Sequence, residues 1–241
     1  MGSGYGVTPE WSRDTEEGRN HVSKLGIVQE GLIFNLDAGA TDSYAGSGNT
    51  WSDLSGNGRN ASITNASFGT KGNVPAFVMD NTLEYFDVSF NGYTLTEDAT
   101  LEAWIYPDES EVSGGDRGTI MVGGIYLSWN KANQKISSYW YGKSPAGYHE
   151  PSAGVSRGQW HHFMAIWDYS NSKFYQYVDG ELVKDITVTG TGNGVSGLRL
   201  AMEGTSRQFA GGFGALRVYS IPLTPRQVRR NFNSMRQRYG V

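Results

Sequence analysis

From Gly31 onward the chain places hydrophobic residues at every second position in short runs broken by turn residues. Trp160, His162, Met164 and Ile166 alternate with His161, Phe163, Ala165 and Trp167. That period of two is the mark of a strand with two distinct faces. Lys173 to Val178 repeats the alternation, with Phe174 and Val178 on one face and Tyr175 and Tyr177 on the other. Asp179-Gly180 then supplies a positive-φ turn into Glu181-Leu182-Val183, predicting a hairpin. Leu32 to Leu36, Pro75 to Met79, Glu84 to Val88, Thr100 to Tyr106, Thr119 to Val122 and Ile125 to Trp129 read the same way, as do Lys135 to Tyr141, Glu181 to Val188, Gly197 to Met202 and Phe213 to Tyr219. About a dozen short strands separated by turn signals predict an all-β, two-sheet antiparallel sandwich. No fixed-period repeat is visible, which disfavours a solenoid or propeller.

Two segments break the alternation. Thr224 is suited to cap a helix and Pro225 to occupy its first turn, where the missing N–H costs nothing. Val228, Phe232, Met235 and Tyr239 follow at helical spacing, an apolar stripe that should lie on the sandwich, and Gly240 is a plausible stop. Arg226, Arg229, Arg230, Arg236 and Arg238 occupy the rest, and no acidic residue follows Glu203. They form either a solvated face or a dock for an acidic neighbour. At the other end, residues 1–30 are polar and mixed in charge, with Trp11, Val22, Leu25, Ile27 and Val28 as the only anchors. This segment reads as a flexible terminus or as an arm that attaches to a partner through Trp11. The organisation is then an arm over 1–30, a sandwich over 31–223 and an arginine-rich helix over 224–241.

Composition narrows the picture. The 33 glycines among 241 residues are about double the usual share and suit a turn-rich fold. A net charge of −4 argues against a general nucleic-acid binder, which needs a basic field. No apolar run is long enough to span a membrane as a helix, and no secretory leader is visible at the N-terminus. Cysteine is absent, which excludes disulfides and thiolate zinc sites. Production in a cytosol is the expectation.

Three ordered motifs carry a family resemblance. Gly158-Gln159-Trp160-His161-His162 with Tyr177-Val178-Asp179-Gly180, then Thr100-Leu101-Glu102-Ala103-Trp104-Ile105-Tyr106-Pro107, then Gly214-Ala215-Leu216-Arg217-Val218-Tyr219 with Pro222-Leu223-Thr224, together resemble the concanavalin A-like lectin/glucanase superfamily in its laminin G-like jelly-roll branch. The resemblance implies a jelly roll over residues 31–223, with Trp104 and Trp160 in its core. A narrower likeness lies in Gly31-Leu32-Ile33-Phe34-Asn35-Leu36-Asp37-Ala38-Gly39, Trp51-Ser52-Asp53-Leu54-Ser55-Gly56-Asn57-Gly58 and the tail Asn231-Phe232-Asn233 with Arg238-Tyr239-Gly240. These resemble laminin G-like domains of tailed-phage virion proteins. That likeness implies a non-enzymatic virion component, on capsid, tail or fibre, with capsid or tail proteins as partners and a homo-oligomer or symmetric copies on a particle.

Candidate chemistry is of three kinds. The superfamily's glucanases place paired carboxylates on one strand face; no such segment exists here, since Glu84 and Asp87 point to opposite faces. His161 and His162 are adjacent and diverge, and nothing nominates a His–Ser–Asp set. For a cation, Asp53-Leu54-Ser55-Gly56-Asn57-Gly58 echoes the first half of a calcium loop, with Thr64 where the bidentate acid would stand. Asp53 and Asn57, with Asp37 from another strand, would be the calcium ligands; an Asx turn closed by side chain to backbone bonds is the competing reading. For a glycan or surface, Tyr126, Trp129, Tyr139, Tyr141, Tyr148 and His149 concentrate aromatic rings within residues 126–149. Because Trp140 opposes Tyr139 and Tyr141 on a strand, one of the two sets belongs to the core. Attachment falls to Trp11, Arg226, Arg229 and Arg230. The leading expectation is a virion display protein that contacts glycans; the alternative is a stand-alone, calcium-dependent carbohydrate-binding module.

Overall fold

A computed structural model describes residues 26–80, 83–108, 117–203 and 207–241. Within them the chain runs through β1 (Leu32–Asp37), β2 (Thr50–Trp51), β3 (Ala61–Thr64), β4 (Ser67–Lys71), β5 (Val74–Met79), β6 (Tyr85–Ser89), β7 (Ala99–Pro107) and β8 (Arg117–Val122). It continues through β9 (Ile125–Asn130), β10 (Lys135–Trp140), β11 (His161–Asp168), β12 (Lys173–Val178), β13 (Glu181–Thr187), β14 (Gly197–Leu200), β15 (Gly211–Tyr219) and a helix, α1 (Pro225–Tyr239). The short strands β2, β3 and β4 lie in a Gly-, Ser- and Asn-rich stretch whose alternation is too brief to read.

The strands form two antiparallel sheets. The first is ordered β13-β12-β11-β7-β15-β5-β4, with β1 added to the end of β15 not used by β5; the second is ordered β10-β9-β8-β14-β6-β3-β2. The predicted hairpin closes as read: Asp179 (φ 49°) and Gly180 (φ 80°) take the left-handed conformations of a tight turn between β12 and β13. Between the sheets lies an aromatic core that includes Trp51, Phe77, Phe86, Trp129, Trp140 and Trp167. Rings within it meet at tilted and edge-on angles, such as Trp51 with Phe77 at 4.7 Å and Phe77 with Phe86 at 4.9 Å, the geometry favoured by the ring quadrupole.

A second apolar layer lies on the far face of the first sheet. Thr224 and Gln227 form a reciprocal capping box at the start of α1, and Gly240 (φ 71°) closes its end by donating its N–H to Arg236 and Gln237 carbonyls. The stripe Val228, Phe232, Met235 and Tyr239 packs down on Trp104, Trp160, Met164 and Tyr219. Trp104 stacks on Tyr239 with ring centroids 4.3 Å apart. Trp104 and Trp160 are therefore buried as expected, but beneath the helix rather than between the sheets. Gly214 permits this approach, because a Cβ there would collide with the Tyr239 ring and hydroxyl.

One predicted boundary moves. Ile27 and Val28 are buried in the helix layer, and the Val28 N–H donates to Asn231 Oδ1 at 2.8 Å. Residues 26–30 thus belong to the folded body, not to an arm. The helix keeps its expected bounds, and its stripe lies on the sandwich as expected, sealing one side of it. Among the described residues no helix is long and apolar enough to cross a membrane.

Candidate functional site

Among the described residues no helix covers the far face of the second sheet, and here the predicted aromatic residues separate. On β9, Ile125, Leu127 and Trp129 turn into the core, so Tyr126 points outward. On β10, Ile136 and Trp140 turn inward, leaving Tyr139 outward and directly opposite Tyr126. Tyr141 and Tyr148 complete a quartet. Tyr139 is 4.8 Å from Tyr141 and 5.8 Å from Tyr148, while Tyr126 lies 5.6 and 6.0 Å from the same two rings. Tyr126 forms the floor and is almost covered, whereas Tyr141 is 46% exposed. Two members of the predicted set do not join. Trp129 is a core residue against Phe163. His149 is buried against Phe174, and its backbone pairs with Ser138 at the sheet edge; burial and then the Lys184 charge lower its pKa. Period-two alternation dictates the first outcome, and the bridge to Ser138 the second.

Charged pairs frame the quartet. The Tyr126 hydroxyl donates to Glu203 Oε1 at 3.2 Å, and Arg207 donates to Glu203 Oε2 at 2.8 Å. The Arg117 guanidinium lies 4.2 Å from the centre of the Tyr148 ring and donates to Glu150 Oε1 at 2.8 Å. Glu150 also accepts from Ser137, Asn130 and Asn133. Partial burial acts to raise its pKa, but these donors and Arg117 outweigh it and hold the carboxyl below the ordinary range. Partial burial, with Tyr141 and Glu203 reinforcing it, raises the Tyr126 pKa, so its phenol stays protonated at neutral pH. The result is a set of ring faces beside fixed donors and acceptors, the combination that grips a sugar's C–H face and hydroxyls.

The predicted calcium residues are otherwise engaged. Asp53 Oδ1 accepts the N–H groups of Asn35 and Ser55 at 2.9 and 2.8 Å, and Oδ2 accepts the Ser55 hydroxyl and the Arg59 N–H at 2.7 and 3.0 Å. Asn57 donates its amide to the Leu32 and Ile33 carbonyls. This is an Asx-type turn that ties the loop to β1. Asp37 does not join them: its carboxylate meets Arg238 at 2.7 Å beneath the helix. Among the described residues no group of three or more His, Asp or Glu side chains could hold a metal ion.

The attachment residues divide too. Arg226 and Arg229 are exposed on α1, and Arg230 reaches back to the Gly26 carbonyl. Arg238 does not share their solvated face, because it is buried on Asp37. Trp11 lies outside the described residues.

Two constellations carried no sequence signal strong enough to find them. Under α1, Glu102 on β7 is fully buried and accepts from His162 Nε2 (3.1 Å), Arg217 (2.8 Å), Asn231 (2.7 Å) and Tyr219 (3.3 Å). Burial acts to raise its pKa, yet Arg217, His162 and Asn231 prevail and lower it from 4.5 to about 2. At the start of β11, Ser156 Oγ is 3.2 Å from His161 Nε2, and His161 Nδ1 is 2.8 Å from Asp179 Oδ2. The order resembles a nucleophile relay. However, Nε2 also lies 3.1 Å from the Ser156 carbonyl, the Ser156 hydroxyl is taken by Gln159, and Asp179 Oδ1 accepts the His162 N–H. The Gly158 N–H is bound to the Pro107 carbonyl, so it offers no oxyanion donor. The set clamps the Asp179-Gly180 turn onto β11.

A family model described as the concanavalin A-like lectin/glucanases superfamily matches residues 80–229. The chain belongs to that superfamily. Solved structures share its fold at low identity. The binding domain of Paraclostridial Mosquitocidal Protein 1 aligns at 16% identity with a TM-score of 0.67, over 86% of this chain and 52% of that one. Domain 4 of AbnA, a GH43 extracellular arabinanase from Geobacillus stearothermophilus solved with arabinotriose, aligns at 18% identity and TM-score 0.61, over 83% and 97%. Trypanosoma rangeli sialidase aligns at 16% and 0.60, over 86% and 33%. This member of the superfamily thus spans about half the length of the first of these chains and a third of the last. No curated protein sequence matches it.

Proposed function

We propose that this lectin-like jelly roll is a non-catalytic carbohydrate-binding module, and that it binds through the tyrosine quartet on the open sheet. The observation that carries this reading is the convergence of Tyr126, Tyr139, Tyr141 and Tyr148 beside the Arg117–Glu150 and Arg207–Glu203 pairs. Tyr141 is the exposed platform and Tyr126 the rigid base. The module of the arabinanase seen with arabinotriose lends support to a saccharide as the ligand class, although its likeness extends to fold only. Calorimetry and a glycan array test the reading: Tyr141→Ala should weaken binding by about tenfold or more with an unchanged melting temperature. Equal binding by the variant, or silence of the wild type across glycans, defeats it. Binding should survive EDTA, because four protein donors already occupy the Asp53 oxygens; a loss of binding on chelation would return the Asp53 loop to the site as a calcium centre.

A second reading concerns where the module works. The exposed arginines of α1, with no acid after Glu203, support its display on a virion, docked on an acidic surface of a capsid or tail protein. Replacing Arg226, Arg229 and Arg230 by Gln should then reduce particle incorporation, most at moderate salt. Incorporation indifferent to both the substitutions and salt counts against it.

A further inference from the structure

The open face extends well beyond the tyrosines. One residue from each strand of the second sheet falls in register on a single outward row: Tyr139, Tyr126, Val122, Arg199, Asp87, Ser62 and Thr50 are successive cross-strand partners. Their neighbours in sequence, from Trp140 and Ile125 to Phe86 and Trp51, point into the core, so the row faces solvent. Six interstrand steps of about 4.8 Å make it about 29 Å long.

The distant end of this row has its own built features. Arg199 donates two hydrogen bonds to Asp87, at 2.8 and 3.0 Å, and its guanidinium lies 4.2 Å from the centre of the Tyr85 ring. Beside them is an open depression of about 610 Å³ lined by Asn60, Ser62, Asp87, Ser89 and Ser196. Hydroxyls, an amide and a carboxylate already fixed by a guanidinium form a surface of alternating donors and acceptors.

Charge decides the ligand class. Each arginine bordering the row has a carboxylate partner at 2.8 Å: Arg117 with Glu150, Arg199 with Asp87 and Arg207 with Glu203. An anionic glycan would have to displace one of these carboxylates and would meet its repulsion. Lys135 has no ion-pair partner among the described residues, but it lies on β10 beyond Ser137, off the row.

We propose that the open face is an extended track for a linear, neutral oligosaccharide, and that Arg199, Asp87 and Ser62 form a distal subsite for a sugar unit remote from the tyrosines. This rests on the carbohydrate reading of the quartet and specifies its ligand as a chain of several units rather than a terminal sugar. A chain crossing the strands meets the quartet first, then the Arg199–Asp87 pair, then the Ser62 depression. Each added unit gains contacts without a new ordering cost for the protein, since the row is held by the sheet.

The test is a length series. Arabino-, xylo-, cello- and laminari-oligosaccharides, from dimers to hexamers, are titrated into the wild type, into Tyr141→Ala, and into a variant carrying Asp87→Ser and Arg199→Ser together. Removing the pair jointly strands neither charge, and a melting curve confirms folding. For the sugar series that binds, wild-type affinity should rise about tenfold or more from dimer to hexamer. The double variant should keep dimer affinity and lose that rise, whereas Tyr141→Ala should lose binding at every length. Affinity independent of length, or a double variant with the wild-type rise, overturns the track and leaves the tyrosine site standing. Tighter binding of oligogalacturonides or heparin fragments, lost in Lys135→Gln, overturns the neutral ligand class. No binding by any of the four series removes the track, while the carbohydrate reading falls only if the glycan array is silent as well.

Discussion

The two sheets carry similar side chains on their outer faces and use them in opposite ways. On the first sheet, Glu102 and Arg217 meet at 2.8 Å with no solvent exposure, covered by Phe232, Met235 and Tyr239 of the helix. On the second, Asp87 and Arg199 meet at the same 2.8 Å with their side chains more than a third exposed. Trp104 stacks against the helix on one side, whereas Tyr141 is left in water on the other. An arginine–carboxylate pair under a helix is a structural commitment, because neither charge can lose its partner without being stranded in an apolar setting. The same pair in the open is weakly bound and offers its spare oxygens and N–H groups to a ligand. The lesson is that solvent access, not residue type, separates scaffold from the proposed site in this chain.

Breaking the covered pair should produce the largest effect. Glu102→Ala leaves Arg217 buried without its counter-charge and should cost about 3–5 kcal/mol in urea unfolding. Replacing both residues by apolar side chains of similar volume should recover much of that loss. The same carboxylate makes stability depend on acid. Its pKa is lowered on folding from 4.5 to about 2, so its contribution is complete above about 4.5 and is lost as pH falls toward 2. Melting temperature should therefore drop across that window, and Glu102→Gln should flatten the slope; a slope unchanged in the variant would assign acid sensitivity elsewhere. Next in size, Gly214→Val would drive a side chain into Tyr239, loosening the helix at a cost of about 1–3 kcal/mol. A loss of Trp104 fluorescence burial should accompany it. The smallest effect belongs to the open pair: Arg199→Gln should change stability by less than about 1 kcal/mol. A cost comparable to that of Glu102→Ala would show that the two faces are not different in kind.

Much of this was legible from residues alone. Alternation placed the long strands within a residue or two, and Thr224-Pro225 with Gly240 marked both ends of the helix. The stripe at Val228, Phe232, Met235 and Tyr239 announced a buried helix face. Four rings of the candidate set, Tyr126, Tyr139, Tyr141 and Tyr148, come together and two, Trp129 and His149, do not. Tyr126, Tyr139 and Tyr141 emerge on one face because β9 and β10 pair in register, but Trp129 shares the period of Ile125 and Leu127 and turns inward. Asp37 and Asp53 looked like partners because both are acids near β1. Their hydrogen bonds run to Arg238 and to backbone N–H groups instead, partners distant in sequence or invisible as side chains. The Arg199–Asp87 pair, 112 residues apart, left no local trace.

The sequence by itself determined the strand pattern, the hairpin at Asp179-Gly180, the capped helix and membership of a jelly-roll superfamily, because each depends on neighbours a few residues apart. Only the tertiary structure decided which outer face is sealed. Trp104, Glu102 and Arg217 alternate with core residues just as Tyr126, Tyr139 and Arg199 do, and nothing local distinguishes them. The helix folds back over β7, β11 and β15 because its apolar stripe needs a matching surface, and that choice withdraws one set of charges and rings from water. Among the described residues the other set stays uncovered across the second sheet, the face proposed for the ligand.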